Sequence, residues 1–309
     1  MREKMAMHAR RSLHVPELAN SHFSTGGIAW DMLKSAASLR QNGGEVDLID
    51  LSDVRHMRPY GVAIVAAMAE LSSLHGNPVT YLGPRDDQIR DHLARLGLPA
   101  IVGQHDPAMV APRTTNLPIR IQKIRSDTTG SEIAEMLVRE LGYDLPGGLE
   151  YQIAENIDEM VLNSLTHAES EVGCVIVGQA FPQTSVLEVA ILDLGITIPT
   201  HLGRAVPGLP DDATAIFKAI EDGVTGTKDR NRFGEPNSGA GLYNLTAHLE
   251  ATGGEMAILS GSAVVWMNSL GKWGRHELHG PRFEGTLVNI VFSTRPGSTG
   301  VGPAPQADL

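Results

Sequence analysis

The stretch ENIDEMVLNSLTHAE, residues 155–169, decides how the second half of the chain is read. Glu155, Glu159, Asn163 and His167 recur every four residues, which stacks them on one stripe of an α-helix, while Ile157, Met160, Val161 and Leu165 supply apolar neighbours. A solvated helix face accounts for the acids. It accounts poorly for Asn163, because Asn has low helix propensity and favours caps and turns. A carboxylate one turn from a carboxamide also suits a magnesium–nucleotide site. There the Asn oxygen is a neutral ligand for a hard cation, and the Glu can orient or deprotonate an attacking hydroxyl. The spacing alone leaves both readings open.

Two clusters follow downstream. In AILDLGITIP, residues 190–199, an apolar strand ends in Asp193 and then Gly195. A carboxylate is thereby left at a strand terminus beside a turn that another group can approach closely, although an ordinary strand-ending turn would look the same. The segment GVTGTKDRNRFGEPNSGAG, residues 223–241, leads directly into an apolar helix at Leu242. Gly-rich backbone opening a helix offers free N–H groups to an anion, and Lys228, Arg230 and Arg232 add local positive charge; a flexible surface loop is the alternative. The segment matches neither G-x-x-x-x-G-K-[ST] nor G-x-G-x-x-G after a strand.

Around these clusters the pattern predicts an α/β chain. Helices are expected at 28–39, 62–74, 86–96, 130–141, 149–168 and 239–251, and strands at 46–51, 78–82, 174–179, 186–193, 255–260, 263–270 and 285–292. The stretch from 194 to 238 reads as polar and Gly-rich. Residues 1–22 carry no clear period and read as a flexible arm, and the Pro, Gly and Ser content of 294–309 reads as a disordered tail. A Pro- and Thr-containing, lightly basic linker at 112–126 separates a small α/β unit, 23–111, from a larger one, 127–293.

Composition limits the partners. With 25 Lys and Arg against 36 Asp and Glu, the net charge of −11 repels phosphate backbones and anionic lipid, so any phosphate ligand must be met locally. Aromatic residues make up only 5% of the chain, too few for base-stacking platforms, and nucleic acid is not an expected partner. No run approaches the roughly 18–20 apolar residues of a membrane span, and no apolar run follows the basic N-terminus as in a signal peptide, so a cytoplasmic protein is expected. Cys174, the single cysteine, lies in an apolar run and can supply neither a disulfide nor a thiolate cluster. His276-x-x-His279 alone is a weak metal signal, and no Ser sits in G-x-S-x-G.

The order of the clusters is more informative than any one of them. Glu159 to Asn163 on a helix, Asp193-Leu-Gly195, a Gly-rich segment closing with Gly239-Ala-Gly241-Leu242, and Gly285-Thr286 entering a last strand together resemble the Bergerat-fold (GHKL) ATPases over about residues 130–293. The resemblance implies a two-layer α/β sandwich holding ATP and Mg2+ between a lid and the sheet. It implies that Asn163 holds Mg2+, that Glu159 is the base or water-orienter, and that Asp193 takes the adenine amino group with Thr286 assisting through water. His167, Gly195, Thr197, Gly223, Thr225, Lys228, Gly239, Gly241 and Leu242 complete the implied nucleotide contacts. Thr197 stands where the family's D-x-G-x-G has its second glycine, which implies a narrower adenine pocket.

The first half, EVDLIDLSDVRHMRPYGVAIVAAMAEL followed by NPVTYLGPRDDQIRDHLARLGL, is similar to STAS domains, in which a strand ends at a turn that starts a helix. In phosphorylatable members a Ser precedes the turn glycine; here Tyr60 precedes Gly61, so the serine switch is absent. No long helical hairpin with a His-plus-acid motif precedes the second half, which disfavours a histidine autokinase, and the chain after Phe292 has no room for the transducer domain of a clamp ATPase. Two functions then remain. One is an ATP-binding signalling protein, an ATPase or anti-sigma-type Ser/Thr kinase acting on a separate protein partner. The other is a non-catalytic module whose nucleotide occupancy gates protein interaction. A homodimer is compatible with either.

Overall fold

The apolar runs at 174–177 and 186–192, the second interrupted only by Glu188, become neighbouring strands with both faces covered, which is why neither run alternates. The computed structural model describes residues 11–15, 18–19, 28–104, 119–124, 149–181, 184–221 and 241–294, and within them the chain is mixed α/β.

In the first half, β1 (Ser12–His14), β3 (Leu48–Asp50) and β5 (Thr80–Leu82) form a parallel sheet in the order β1-β3-β5. The two-residue strands β2 (Leu18–Ala19) and β4 (His56–Met57) pair separately. Residues 12–14 and 18–19 therefore do not belong to a loose arm. Arg11 anchors the start, its amide donating to the Asp47 carboxylate at 3.0 Å and its guanidinium pairing with Glu45 and Asp47. Helix α1 spans Ile28–Gln41, and α2 spans Pro59–Leu74 with Pro in its first turn, where a missing N–H costs nothing. Helix α3 (Asp87–Leu96) is capped by Asp86, whose carboxylate accepts from the amides of Gln88 and Ile89, and stops at Gly97 in the left-handed region. A single turn, α4 (Leu98–Ile101), follows.

The second half is built on a seven-stranded sheet. Its strands are β6 (Ile119–Ile124), β7 (Cys174–Phe181), β8 (Val186–Asp193), β9 (Glu255–Gly261), β10 (Ala263–Met267), β11 (Trp273–Glu277) and β12 (Phe283–Ser293). Their order is β11-β10-β9-β12-β8-β7-β6, with every neighbouring pair antiparallel. Helices α5 (Leu149–His167), α6 (Ile198–Gly203), α7 (Asp212–Ile220) and α8 (Gly241–Thr252) complete it. The pleat sends Ile176, Val189, Ile191, Ile258, Val288 and Ile290 into one apolar cluster with Ile153, Ile157 and Val161 of α5, Ile216 of α7 and Leu245 of α8.

The other face of the same sheet is covered by the first half. Val175, Val177, Ala190, Leu192, Leu259 and Leu287 share a cluster with Leu33 of α1, Ile49 of β3 and the apolar residues of α2. Every residue of α2 from Pro59 to Ser72 is buried, which explains why that helix is apolar on all sides up to Ala69, while Glu70 pairs with Lys123 and Ser72 donates to the Met68 carbonyl. A buried ion pair crosses the same boundary: the Arg58 guanidinium, before α2, donates through Nε to Glu188 on β8 at 3.2 Å, has its Nη2 2.6 Å from the second carboxylate oxygen, and lies 5.8 Å from the Phe181 ring centroid.

Several boundaries differ from the sequence expectation. Residues 119–124, inside the expected linker, are edge strand β6 paired with β7. The stretch read as polar and Gly-rich contains α6 and α7. Asp211 caps α7 by accepting from the Thr214 amide at 2.7 Å, and Ala213, Ile216 and Ile220 face the core. The strand expected to reach Leu270 stops at Met267, and β11 follows. The helix expected at 130–141 lies outside the described residues.

Candidate functional site

Helix α5 carries the stripe that the spacing predicts. Glu155 is exposed, whereas Glu159, Asn163 and His167 are half-buried beside the fully buried line of Ile153, Ile157 and Val161. Glu159 meets the start of α8: a Cβ added at Gly241 would collide with the Glu159 side chain. A bulkier residue there would push the carboxylate aside, so the glycine at 241 sets where the Glu159 side chain rests. Leu242, next along, packs on the α5–sheet core. The ring of His167 lies against that of His201 on α6, centroids 5.0 Å apart.

Asp193 ends β8 as expected and is 2% exposed. It stands in a row across four strands, Cys174, Asp193, Thr286 and Ser260, set by the pairing register. Its carboxylate accepts from the amide of Gly195 at 3.0 Å, and the Ser164 hydroxyl on α5 and the Thr286 amide favour its ionised form. A carboxylate offers about four acceptor positions, so a further donor fits. Burial pushes its pKa up to about 7, against the pull of these donors and of Arg40. Burial also raises the Cys174 thiol far above its ordinary range, leaving an inert thiol inside the core.

The two turns beside Asp193 touch backbone to backbone. Gly285, with φ +138°, lies so close that a Cβ would strike the Asp193 carbonyl. A Cβ at Gly195 would strike the Ala168 carbonyl, which already accepts from the Ile196 amide at 2.6 Å. Close approach to the end of α5 therefore sets the need for glycine at 195. Thr197 caps α6, its hydroxyl accepting from the Thr200 amide at 3.1 Å and donating to the Thr200 hydroxyl at 2.8 Å. The hydroxyl of Thr286 lies 3.0 Å from that of Ser260, which also donates to the Gly285 carbonyl and accepts from the Ile198 amide. Sequence reading missed Ser164 and Ser260, because a serine in a helix or at the end of a strand carries no signal until its partner is known.

Asp193 carries a pH signature with a defined sign. Its folded pKa lies above the ordinary carboxylate value, so the folded chain keeps a proton that the unfolded chain has lost. This contribution is fully present below about pH 4 and is lost as the pH rises to about 7, at about 1.4 kcal/mol per pH unit within the window. Urea midpoints between pH 4 and 8 should show this decline in the wild type, and Asp193→Asn should flatten it. Parallel profiles for the two proteins would show that Asp193 ionises normally.

Among the described residues no group of three or more His, Cys, Asp or Glu side chains could hold a metal ion unaided. Mg2+ makes no such demand, since one protein oxygen together with phosphates and waters suffices, and Asn163 can offer that oxygen. A cavity of about 220 Å³, lined by Ser164, Leu165, Ser170, Glu171 and Gly173, borders the turn after β8, where the Ser170 hydroxyl accepts from the Leu194 amide at 3.2 Å. Gly223, Thr225, Lys228 and Gly239 lie outside the described residues.

In the first half, Tyr60 is buried, as are Pro59 and Gly61 beside it. Tyr60 and Gly61, the positions that the resemblance singles out, are thus covered in the first turn of α2. No described helix is long and apolar enough to cross a membrane. The chain matches no protein-family model and no curated protein.

Proposed function

We propose that the second half is a Bergerat-type nucleotide-binding domain that takes ATP with Mg2+, and that the first half is a STAS-like unit docked on the back of its sheet. The observation that carries the reading is the meeting of Glu159 and Gly241, with Asp193 and Thr286 paired at the ends of β8 and β12. The four ordered motifs come from segments far apart in sequence, and the parts of them within the described residues belong to α5, α8 and two adjacent central strands. In this reading Asn163 supplies oxygen to Mg2+, which neutralises phosphate charge when bound. Glu159 orients or deprotonates the attacking hydroxyl, and Asp193 accepts from the adenine amino group at a further acceptor position.

The activity proposed is that of a signalling ATPase or Ser/Thr protein kinase acting on a separate protein. Burial of the Tyr60 turn supports a separate partner rather than the chain's own STAS-like half. A nucleotide-gated module without turnover is the second reading. It is favoured by Thr197, which is committed to capping α6 where the family has glycine.

Titration calorimetry with Mg-ATP tests the binding. Wild type should bind, and Asp193→Asn should weaken binding by about 1–3 kcal/mol through loss of a charge-assisted hydrogen bond. Because the amino group needs the ionised carboxylate, wild-type affinity should also rise as the pH passes upward through about 7. Equal affinity in the two proteins at pH 8 would remove the adenine assignment.

A further inference from the structure

Arg40, in the last turn of α1, belongs to the first half of the chain but ends at the Asp193 turn of the second. Its Nη2 donates to the Leu194 carbonyl at 2.9 Å, and its Nε donates to the Glu284 carbonyl at 3.1 Å. These carbonyls flank the two turns that touch at Gly285 and Asp193. One guanidinium edge therefore clamps both, a task suited to its planar, two-pronged donor geometry. The side chain is only 12% exposed, and its carboxylate neighbour Glu284 is 3.9 Å away, so the carbonyl bonds rather than an ion pair define its place. Gly44, with φ +76°, leaves the room in which the guanidinium turns: a Cβ there would collide with Arg40 Nη1.

We propose that Arg40 is a positioning residue through which the docked first half fixes the base-recognition turns of the second, so that docking and adenine selectivity are coupled. The proposal rests on the nucleotide reading above. Without the clamp, Leu194 and Glu284 lose a shared donor, and the Asp193 carboxylate between them loses its fixed aim. Phosphate and Mg2+ contacts on α5 are untouched by Arg40 and should not respond.

The test compares Mg-ATP with Mg-ITP, whose base carries a keto oxygen in place of the amino group. Arg40→Ala should weaken ATP binding about tenfold, within the usual range of coupling between sites, and leave ITP binding little changed. If Arg40→Ala does not fold, Arg40→Lys gives the same comparison with a smaller loss, because it keeps the charge and stem but not the two-pronged edge. Equal losses for ATP and ITP, or no loss for either, would overturn the proposal. Hydrogen exchange supplies a readout that needs no nucleotide: the amides of Gly195 and Thr286 should exchange faster in the variant while the middle of β8 stays protected. Unchanged exchange there would refute the positioning role. Absence of ATP binding by the wild type would instead refute the nucleotide reading.

Discussion

Replacing Glu188 with Ala should lower the stability of the whole chain by about 3–5 kcal/mol, because it leaves the Arg58 guanidinium buried without its partner. Glu188 is fully buried in the centre of the sheet, and Arg58 is held by two contacts to its carboxylate and by the Phe181 ring. Desolvation opposes the charge on Arg58, and the field and hydrogen bond of Glu188, with smaller contributions from Tyr60 and Glu255, together outweigh it, so the net pKa is raised. Removing the carboxylate takes away the largest favourable contributions and leaves the desolvation in place. The loss should appear as a lower urea midpoint in one transition, since the apolar cluster containing α2 also contains β7, β8 and β12. The double change Arg58→Met with Glu188→Leu should recover much of the loss, because well-packed apolar residues can replace a buried pair at little cost. Two separate transitions, or a single variant as stable as wild type, would show that the halves do not share one core.

The second large effect concerns turnover. Glu159→Ala should lower any ATP turnover or phosphotransfer by about two to four orders of magnitude while nucleotide affinity stays nearly constant. Asn163 stays one turn away with its oxygen in place, and Gly241 gains space rather than losing it. Steady-state assays with candidate protein partners, run beside calorimetry, separate the two quantities. A wild type that binds ATP but neither hydrolyses it nor labels a partner would favour the gated module. Equal activity in wild type and variant would dismiss Glu159 as the base.

The parts of the fold legible in the sequence are those with strong local signals. Asp86 and Gly97 bracket α3 with a cap at each end, and the strongly apolar α2 and the two-sided strands β7 and β8 stand out by run length. What those runs do not reveal is what covers their second face. The covering element comes from the other half of the chain, and a sequence window cannot register a contact between Arg58 and Glu188, 130 residues apart. Short strands such as β1 and β11 escape because three to five residues carry no period. Helix α7 had a readable signal in Asp211 ahead of Ala213, Ile216 and Ile220, hidden by the Pro- and Gly-rich residues around it.

The site divides in the same way. Glu159, Asn163 and Asp193 are legible because helix spacing and strand ends are local features. Arg40 and Ser260 are not, since their roles depend on carbonyls and hydroxyls that only the folded chain brings near, Leu194 being 154 residues from Arg40. Gly195 shows a further difference. It is needed first for the approach of the turn to Ala168, a packing demand that a motif reading assigns to the ligand.

The central claim is that the α5 stripe and the paired turns at Asp193 and Thr286 serve one nucleotide. Hydrogen exchange of the full chain with and without saturating Mg-ATP tests it most directly. The account predicts that ATP slows exchange together at the α5 stripe, at residues 193–196 and at 284–286, with one shared dependence on ATP concentration. Protection at only one of these places, or at none, would contradict it.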